Sequence, residues 1–457
     1  MLDWSAHRLS RAIAAREISP SELMTATLAR IEAINPQLNA IVSLGDPDVL
    51  LARAKMAETE TSRGWLHGIP VAVKDLANAK GYPTSMGSPA FVGQVADTSD
   101  IAIARMEAAG AIVIGKTNTP EFGLGSHTYN PVHGATQNAL LPGRSAGGSS
   151  GGAAVALAAG LIAVADGSDM MGSLRNPAGW NGVYGLRPSW GRVPSEPVGD
   201  LFWKTLSTNG PMARTPRDLA LLLDTMSGAD PCQPHGWDAP PVAGQIDADL
   251  AGRRIAWLGD WGGALAMEDG VLAHSRSSLE RLTDLGVVIE DVPPPFSREA
   301  LWQAWIDLRS FSVSQSLGPL LDTQPDVLKP EAVWEIERGR GLSALALQSA
   351  SAIRSDWFRA ARSLLSRFDA FALPTAQCWP FPVELDWPKS IAGTAMDTYH
   401  RWMEVVISAS LIGLPAIAVP CPPDDLGRPI GVQIAGSPRA DLAVLQLAAG
   451  WHSLSAA

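Results

Sequence analysis

The chain has 457 residues, 46% of them hydrophobic and 18% charged, with a formal net charge of -11. That apolar share excludes a disordered chain, and the acidic balance argues against nucleic acid or an anionic membrane as partner, because no basic surplus remains to neutralise phosphates. The length allows two or three domains, or one large α/β layer.

Residues 1–60 read as helical. Leu23, Leu28 and Ile31 recur at helical spacing, and Ser19 with Glu22 supplies a cap and a first-turn acid. This segment is expected to wrap around a core formed elsewhere. It has no apolar run of signal-peptide length and carries acidic residues, so a cytoplasmic protein is expected.

From Gly68 the pattern changes. IPVAV (69–73) and AIVIG (111–115) fit buried strands, and DIAIARMEAA (100–109) between them is helical, an order that points to a layered α/β core. Residues 115–152 are dense in Gly, Pro, Asn, Ser and Thr and read as loop feeding a site. Residues 144–188 follow, RSAGGSSGGAAVALAAGLIAVADGSDMMGSLRNPAGWNGVYGLRP, with a glycine-framed pair, Ser149 and Ser150, an apolar segment too short to cross a bilayer, and a further serine, Ser173.

The second half continues the alternation. Residues 210–228 read as a turn and helix, 229–253 as a surface excursion, 253–259 as a strand, and 275–292 as a helix and strand. Residues 300–365 are mainly helical and carry Trp302, Trp305, Trp334 and Trp357; FDAFALPT, LPAIAVP and IGVQIAG are short strands before a last helix. These late strands are expected to share one sheet with the early ones. Cys232, Cys378 and Cys421 are far apart and outside any CxxC pattern, so they read as reduced and buried, without a zinc site or disulfide.

Two common patterns fail on context. GAIVIGKT (110–117) fits the phosphate-loop pattern, but its four middle residues are themselves the strand and Pro120 stops a following helix, which leaves Lys116 as a strand-end residue. GxSxG occurs at 143–147 and 147–151, but no strand leads into either serine, and His400 and His452 sit in ordinary helical contexts. GGSSGG is not a flexible linker either, since an apolar run follows at once; its glycines suit close backbone approach in a packed core.

Without a histidine, Ser173 needs another base. An ordinary lysine is less than about 0.1% neutral at pH 7, but burial lowers its pKa. Lys74 ends the apolar run IPVAV and is the lysine placed to be buried; the plainer alternative is an exposed strand-end lysine paired with Asp75.

GIPVAVKD, AGAIVIGKTNTPEFG, GGSSGG, GSDMMGSLRNPAGWNGVYGLRPSWGRVP, GPMARTPRDLALLL, GLPAIAVP and GRPIGVQIAG together resemble the amidase signature family, in the family's own order. The resemblance is strongest over residues 68–216 and 413–436 and loose over 230–400. It implies an α/β fold with a single large mixed β-sheet core covered by helices on both sides, in a single domain over 1–457 with an N-terminal helical wrap (1–60), a catalytic core (68–216) and a variable substrate-specificity region (230–400). It implies Lys74 as catalytic base, Ser149 as a bridging serine with a cis peptide bond and Ser173 as nucleophile, in an amidohydrolase working through an acyl-enzyme. The backbone amides of Met170, Met171 and Gly172, with Ser173, would form the oxyanion hole, and Gly123, Leu124 and Gly125 would line the acyl pocket.

The expected partner is a small-molecule amide, with no nucleic acid, membrane, cofactor or metal, and a homodimer stays open as the assembly. Sixteen tryptophans, most of them between Trp203 and Trp402, suggest that some wall a flat pocket for an aryl or hydrophobic acyl group. Rival readings are the catalytic subunit of a tRNA-dependent amidotransferase and a non-catalytic binding protein. Met171 departs from the family, which has glycine there: it either strains the loop or projects into the core. Arg175 is equally a structural partner of Asp169 or a substrate anchor.

Overall fold

A computed structural model describes residues 1–456. Helices α1 (Ala6–Ala14), α2 (Pro20–Leu38) and α3 (Pro47–Ala57) form the N-terminal segment, interrupted by the short strand β1 (Ile41–Val42), which the helical reading did not contain. Ser19 and Glu22 close a reciprocal capping box on α2, with Pro20 in its first turn, as their spacing predicts. α1 is capped from a distance: the Asp218 carboxylate accepts from the Ala6 and His7 amides, both at 2.8 Å.

β2 (Pro70–Lys74), α4 (Ile101–Ala108) and β3 (Ile112–Thr117) form a parallel strand–helix–strand unit, and β1 pairs antiparallel with β3. Next come α5 (Gly151–Ala158), β4 (Val164–Asp169), α6 (Arg175–Trp180), β5 (Tyr184–Arg187), β6 (Thr208–Ala213) and α7 (Pro216–Met226). The residues read as the turn before α7 are thus partly a strand, because β6 has two partners, β4 and β5, that no local pattern shows. The second half adds β7 (Arg254–Trp257), α8 (Val271–Glu280), β8 (Val288–Asp291), α9 (Arg298–Thr323), α10 (Pro330–Arg340), α11 (Ala344–Leu365) and β9 (Ala370–Pro374). A small hairpin, β10 (Ser390–Ile391) with β11 (Thr394–Ala395), then precedes α12 (Ile407–Leu411), β12 (Ala416–Pro420), β13 (Gly431–Gly436) and α13 (Asp441–Ala456).

The main sheet is mixed and eight-stranded, in the order β4-β6-β5-β12-β13-β9-β7-β8. The α/β reading with one large mixed sheet holds, but the early strands pair outside its ladder, in the separate order β1-β3-β2. At the junction, the Lys74 amide donates to the Asp166 side chain of β4 (3.0 Å), a link that replaces a ladder bond.

Strand periodicity accounts for the helical cover. Val71, Val73, Val113 and Val164 enter one hydrophobic core, while their neighbours Ala72, Ile112, Ile114 and Ala165 enter another. Successive side chains point to opposite faces, so two cores on alternate residues mean that both faces are buried. α5 lies in the second core, with Gly151 to Leu157 all buried. The stretch 229–253 has no regular structure but is pinned by buried Val242, Ile246 and Leu250. Cys378 and Cys421 are buried, whereas Cys232 is exposed, because it lies on that outer stretch; all three are free thiols. Among the described residues, no helix is long and apolar enough to cross a membrane.

Replacing the remote cap should loosen α1 locally. Asp218→Ala is expected to cost about 1–2 kcal/mol in chemical denaturation and to raise amide exchange at Ala6 and His7; unchanged exchange there would refute the capping role.

Candidate active site

Three chain segments converge where β2 and β4 end. Lys74 is the last residue of β2, Ser149 and Ser150 directly precede α5, and Ser173 lies just before α6, separated from its first turn by the N-cap Leu174. The Ser150 amide donates to the Ser173 carbonyl (3.2 Å), which ties the two serine segments together.

Lys74 is 1% exposed and is not an exposed partner of Asp75. Its Nζ lies 2.8 Å from Ser149 Oγ, 2.9 Å from Ser150 Oγ, 3.1 Å from Ser168 Oγ and 3.4 Å from the Ser168 carbonyl. Hydroxyls can donate or accept, so this cage tolerates the amine with or without its extra proton. Burial pulls the Lys74 pKa down to about 7, against an opposing pull from Asp166 and Asp169. The unfolded chain holds this proton more tightly, so the Lys74 contribution to stability is full above the unfolded lysine value and is lost as pH falls from there through about 7.

Ser149 and Ser150 both touch Lys74, but only Ser149 faces the cavity that also exposes Ser173. The Gly148–Ser149 peptide is cis. This cavity, of about 100 Å³, is walled by Leu76, Phe122, Leu124, Met170 and Met171, with Arg309 and His400 as its charged and imidazole groups. Gly123, Leu124 and Gly125 all line it. Gly123 has φ +70°, and a Cβ there would sit 2.7 Å from Leu76, so no other residue fits beside Ser149 without displacing that wall.

The loop from Asp169 to Arg175 is held by one carboxylate. Asp169 accepts from the Gly172 amide (2.9 Å), the Leu174 amide (3.2 Å) and Arg175 Nε and Nη2 (both 3.0 Å), and Arg187 lies 3.4 Å away. Burial would push the Asp169 pKa up, but Arg175 and Arg187 hold it well below the usual carboxylate range. Arg175 also donates to the Val406 carbonyl (3.0 Å), to Ser410 Oγ (2.7 Å) and to Gln433 Oε1, so its donors are spent on the frame and none is left to anchor a substrate. Of the amides expected to serve as oxyanion donors, that of Gly172 is engaged by Asp169 in this structure. Met171 is buried in the main core and is absent from the positive-φ positions; Gly172 takes the left-handed turn instead, with φ +78°. The loop therefore needs glycine at 172, and Met171 projects into the core without strain.

Lys116 lies within β3, and its amine is held by the Ala77 carbonyl (2.6 Å) and Thr84 Oγ1 (2.9 Å), which excludes a phosphate loop. Ser145 of the first GxSxG meets His127 at 2.7 Å, but Ser145 is fully buried and His127 contacts the Val383 carbonyl (3.0 Å), so the pair is structural. Among the described residues, no tryptophan lines the cavity; Trp180, Trp305, Trp357, Trp402 and Trp451 are fully buried instead, which corrects the expectation that tryptophans wall it. Sequence reasoning missed Arg309 and His400, since nothing local distinguishes an arginine on a long helix or a histidine in TYHRW.

The mixed α/β fold thus sets a buried lysine against a serine pair, one of which shares a cavity with a further loop serine. The sequence model of the Amidase family matches residues 22–445, and the chain belongs to that family, the amidase signature enzymes. It is 32% identical to an acylamidase of Rhodococcus erythropolis, over 99% of this chain and 96% of that protein. It is 33% identical to a glutamyl-tRNA(Gln) amidotransferase chain of Chloroflexus aurantiacus, over 97% and 95%. The solved structure of a bacterial aryl acylamidase of the amidase signature family superposes with a TM-score of 0.92 at 27% identity, covering 99% of this chain and 96% of that one.

Arg175→Met would leave Asp169 buried with half its counter-charge. We expect a loss of about 3–5 kcal/mol in denaturant stability, read from the midpoint at constant slope; a change under about 1 kcal/mol, the range of exposed ion pairs, would refute the framing role.

Proposed function

We propose that this protein hydrolyses a carboxamide C–N bond through an acyl-enzyme on Ser173, releasing a carboxylate and ammonia or an amine. The single observation that carries this reading is the Lys74 amine, buried with a pKa near 7 and 2.8 Å from the Ser149 hydroxyl that shares a cavity with Ser173.

Neutral Lys74 accepts the Ser149 proton as Ser149 accepts that of Ser173, whose Oγ attacks the amide carbonyl. The oxyanion is met by the amides of Met170, Met171 and Ser173, which are fixed before reaction by the Asp169 turn. The proton returns along the same relay to the leaving nitrogen, the C–N bond breaks, and water then attacks the acyl-Ser173 ester with the relay acting again as base. Ser149 is chosen over Ser150 because only Ser149 faces the cavity.

The likeness to an acylamidase and an aryl acylamidase, with the apolar wall of Leu76, Phe122, Leu124, Met170 and Met171, supports an aryl or hydrophobic acyl group. A second reading, an amidotransferase chain that passes ammonia to a partner-bound substrate, draws on the likeness to the Chloroflexus aurantiacus protein. It requires a stable stoichiometric complex, which native pull-down with intact-mass detection would reveal.

Two outcomes are expected. Ser173→Ala and Lys74→Met each lower amide hydrolysis by about 10⁴-fold or more, and mass spectrometry of the wild type mixed with benzamides, anilides, hydrazides and aliphatic amides captures acyl-Ser173; retained activity in either variant would defeat the assignment. The pH profile of kcat/KM rises with pH through a limb near 7 and then levels, because the lysine must be neutral; a limb near the ordinary lysine value of about 10 would mean that the base is unperturbed.

A further inference from the structure

The cavity wall beside Ser149 is a loop whose shape is imposed from elsewhere. Phe122, Gly123, Leu124 and Gly125 all line the cavity that exposes Ser149 and Ser173. Phe122, Gly123 and Gly125 lie in the left-handed region, with φ +55°, +70° and +101°. Glycine takes that conformation freely, whereas phenylalanine keeps it only where the surroundings enforce it. The Phe122 amide donates to the Met86 carbonyl (2.8 Å), which holds one point of the loop. Among the described residues, no backbone amide donates to the carbonyl of Leu124, two residues on.

That carbonyl is held by a side chain from a distant part of the chain. Lys329 Nζ donates to it at 2.7 Å, across 205 positions of sequence. The lysine is itself well anchored. Leu328 before it is buried in a small cluster with Val313 of α9 and Ala332 and Ile336 of α10, and Pro330 after it opens α10. A residue before proline is biased toward extended backbone, and Lys329 has φ -67° and ψ 152°. Leu124 packs into the same cluster, so both its side chain and its carbonyl are fixed by the connection between α9 and α10.

Electrostatics ties the lysine to the start of the loop as well. Glu121 is 3% exposed, and burial pushes its pKa up while Ser88 and Lys329 pull it down. Burial lowers the Lys329 pKa in turn, against the opposing pull of Glu331, Glu121 and Glu335. Lys329 therefore acts on both ends of the segment that carries Phe122 and Gly123.

We propose that Lys329 is a positioning residue that sets the size limit of the substrate by fixing Leu124 at the cavity wall. The inference deepens the amide-hydrolase reading and rests on it. The cavity holds only about 100 Å³, so a wall side chain displaced by the width of a methyl group changes which amides fit. One methylene in an apolar pocket is worth about 10-fold to 200-fold in kcat/KM, and the wall enforces such a step only while Leu124 stays in place. Lys329 is not among the residues that line the cavity, so its effect passes through Leu124.

The test uses two series of apolar amides lengthened by single methylenes, one on the acyl side and one on the amine side. Wild-type kcat/KM should fall by about 10-fold or more between two neighbours of one series. In Lys329→Met, which keeps the apolar stem and removes the donor, that step should shrink below about 3-fold. Lys329→Gln combined with Glu121→Gln, which strands no buried carboxylate, should shrink it likewise and serves if the first variant fails to fold, as thermal unfolding will report. A lysine with a merely structural role would lower the unfolding midpoint and the turnover of all members alike while leaving the step intact. That result overturns the proposal, as does a wild type with no step in either series. Fluorophosphonate labelling of Ser173 separates the two readings: labelling with turnover but an intact step in the variants removes only this inference, while neither labelling nor turnover of any amide removes both.

Discussion

The structure depends on taking one lysine amine out of water. Desolvation alone brings Lys74 near neutrality, and it prevails because the carboxylates around it are otherwise engaged. Asp169 would hold a proton on Lys74 if it were an unpaired anion, but Arg175 and Arg187 neutralise it. Asp166 is fully buried, and burial pushes its own pKa up, which weakens it as an anion. The main sheet, the early strand pair and the helices before and after the serines all close around this point.

The same network gives the site its shape. Asp169 organises the turn from Met170 to Leu174 by accepting its amides, and Arg175 carries that constraint to Val406, Ser410 and Gln433. Those last three residues belong to the C-terminal part of the chain, so the Ser173 loop is indexed against elements laid down much later in the sequence. Trp180 stacks on Trp402 at 5.7 Å and meets Phe381 edge-on, which fixes the segment that follows His400. The tryptophans therefore serve the cavity wall indirectly, as the scaffold behind it.

Much of this was legible in the primary structure. The buried strand ending in Lys74, the capping box at Ser19 and the glycine-framed serine pair are local patterns, and local chemistry writes them, whereas the spacing to Ser173 carried meaning only through the family resemblance. The Asp169–Arg175 pair was legible as one of two options, because the residues stand close together across a tight turn. Other features had no local signal. Strand β6 depends on neighbours on both sides, β1 is two residues long, and His400 and Arg309 come together beside Met170 only through the packing of distant helices and loops.

By itself, the order of residues marked Lys74 as the end of a buried strand and Ser149 and Ser150 as a glycine-framed pair, because burial of an apolar run and the freedom of glycine are properties of short segments. Tertiary structure alone decided which hydroxyl faces the cavity, which amides of the loop remain available, and that Met171 rather than a tryptophan contributes to the wall. The physical reason is that these outcomes turn on the saturation of donors and acceptors. Whether Gly172 can give its amide to a substrate depends on Asp169 already holding it, and that competition exists only once both have been brought together in space.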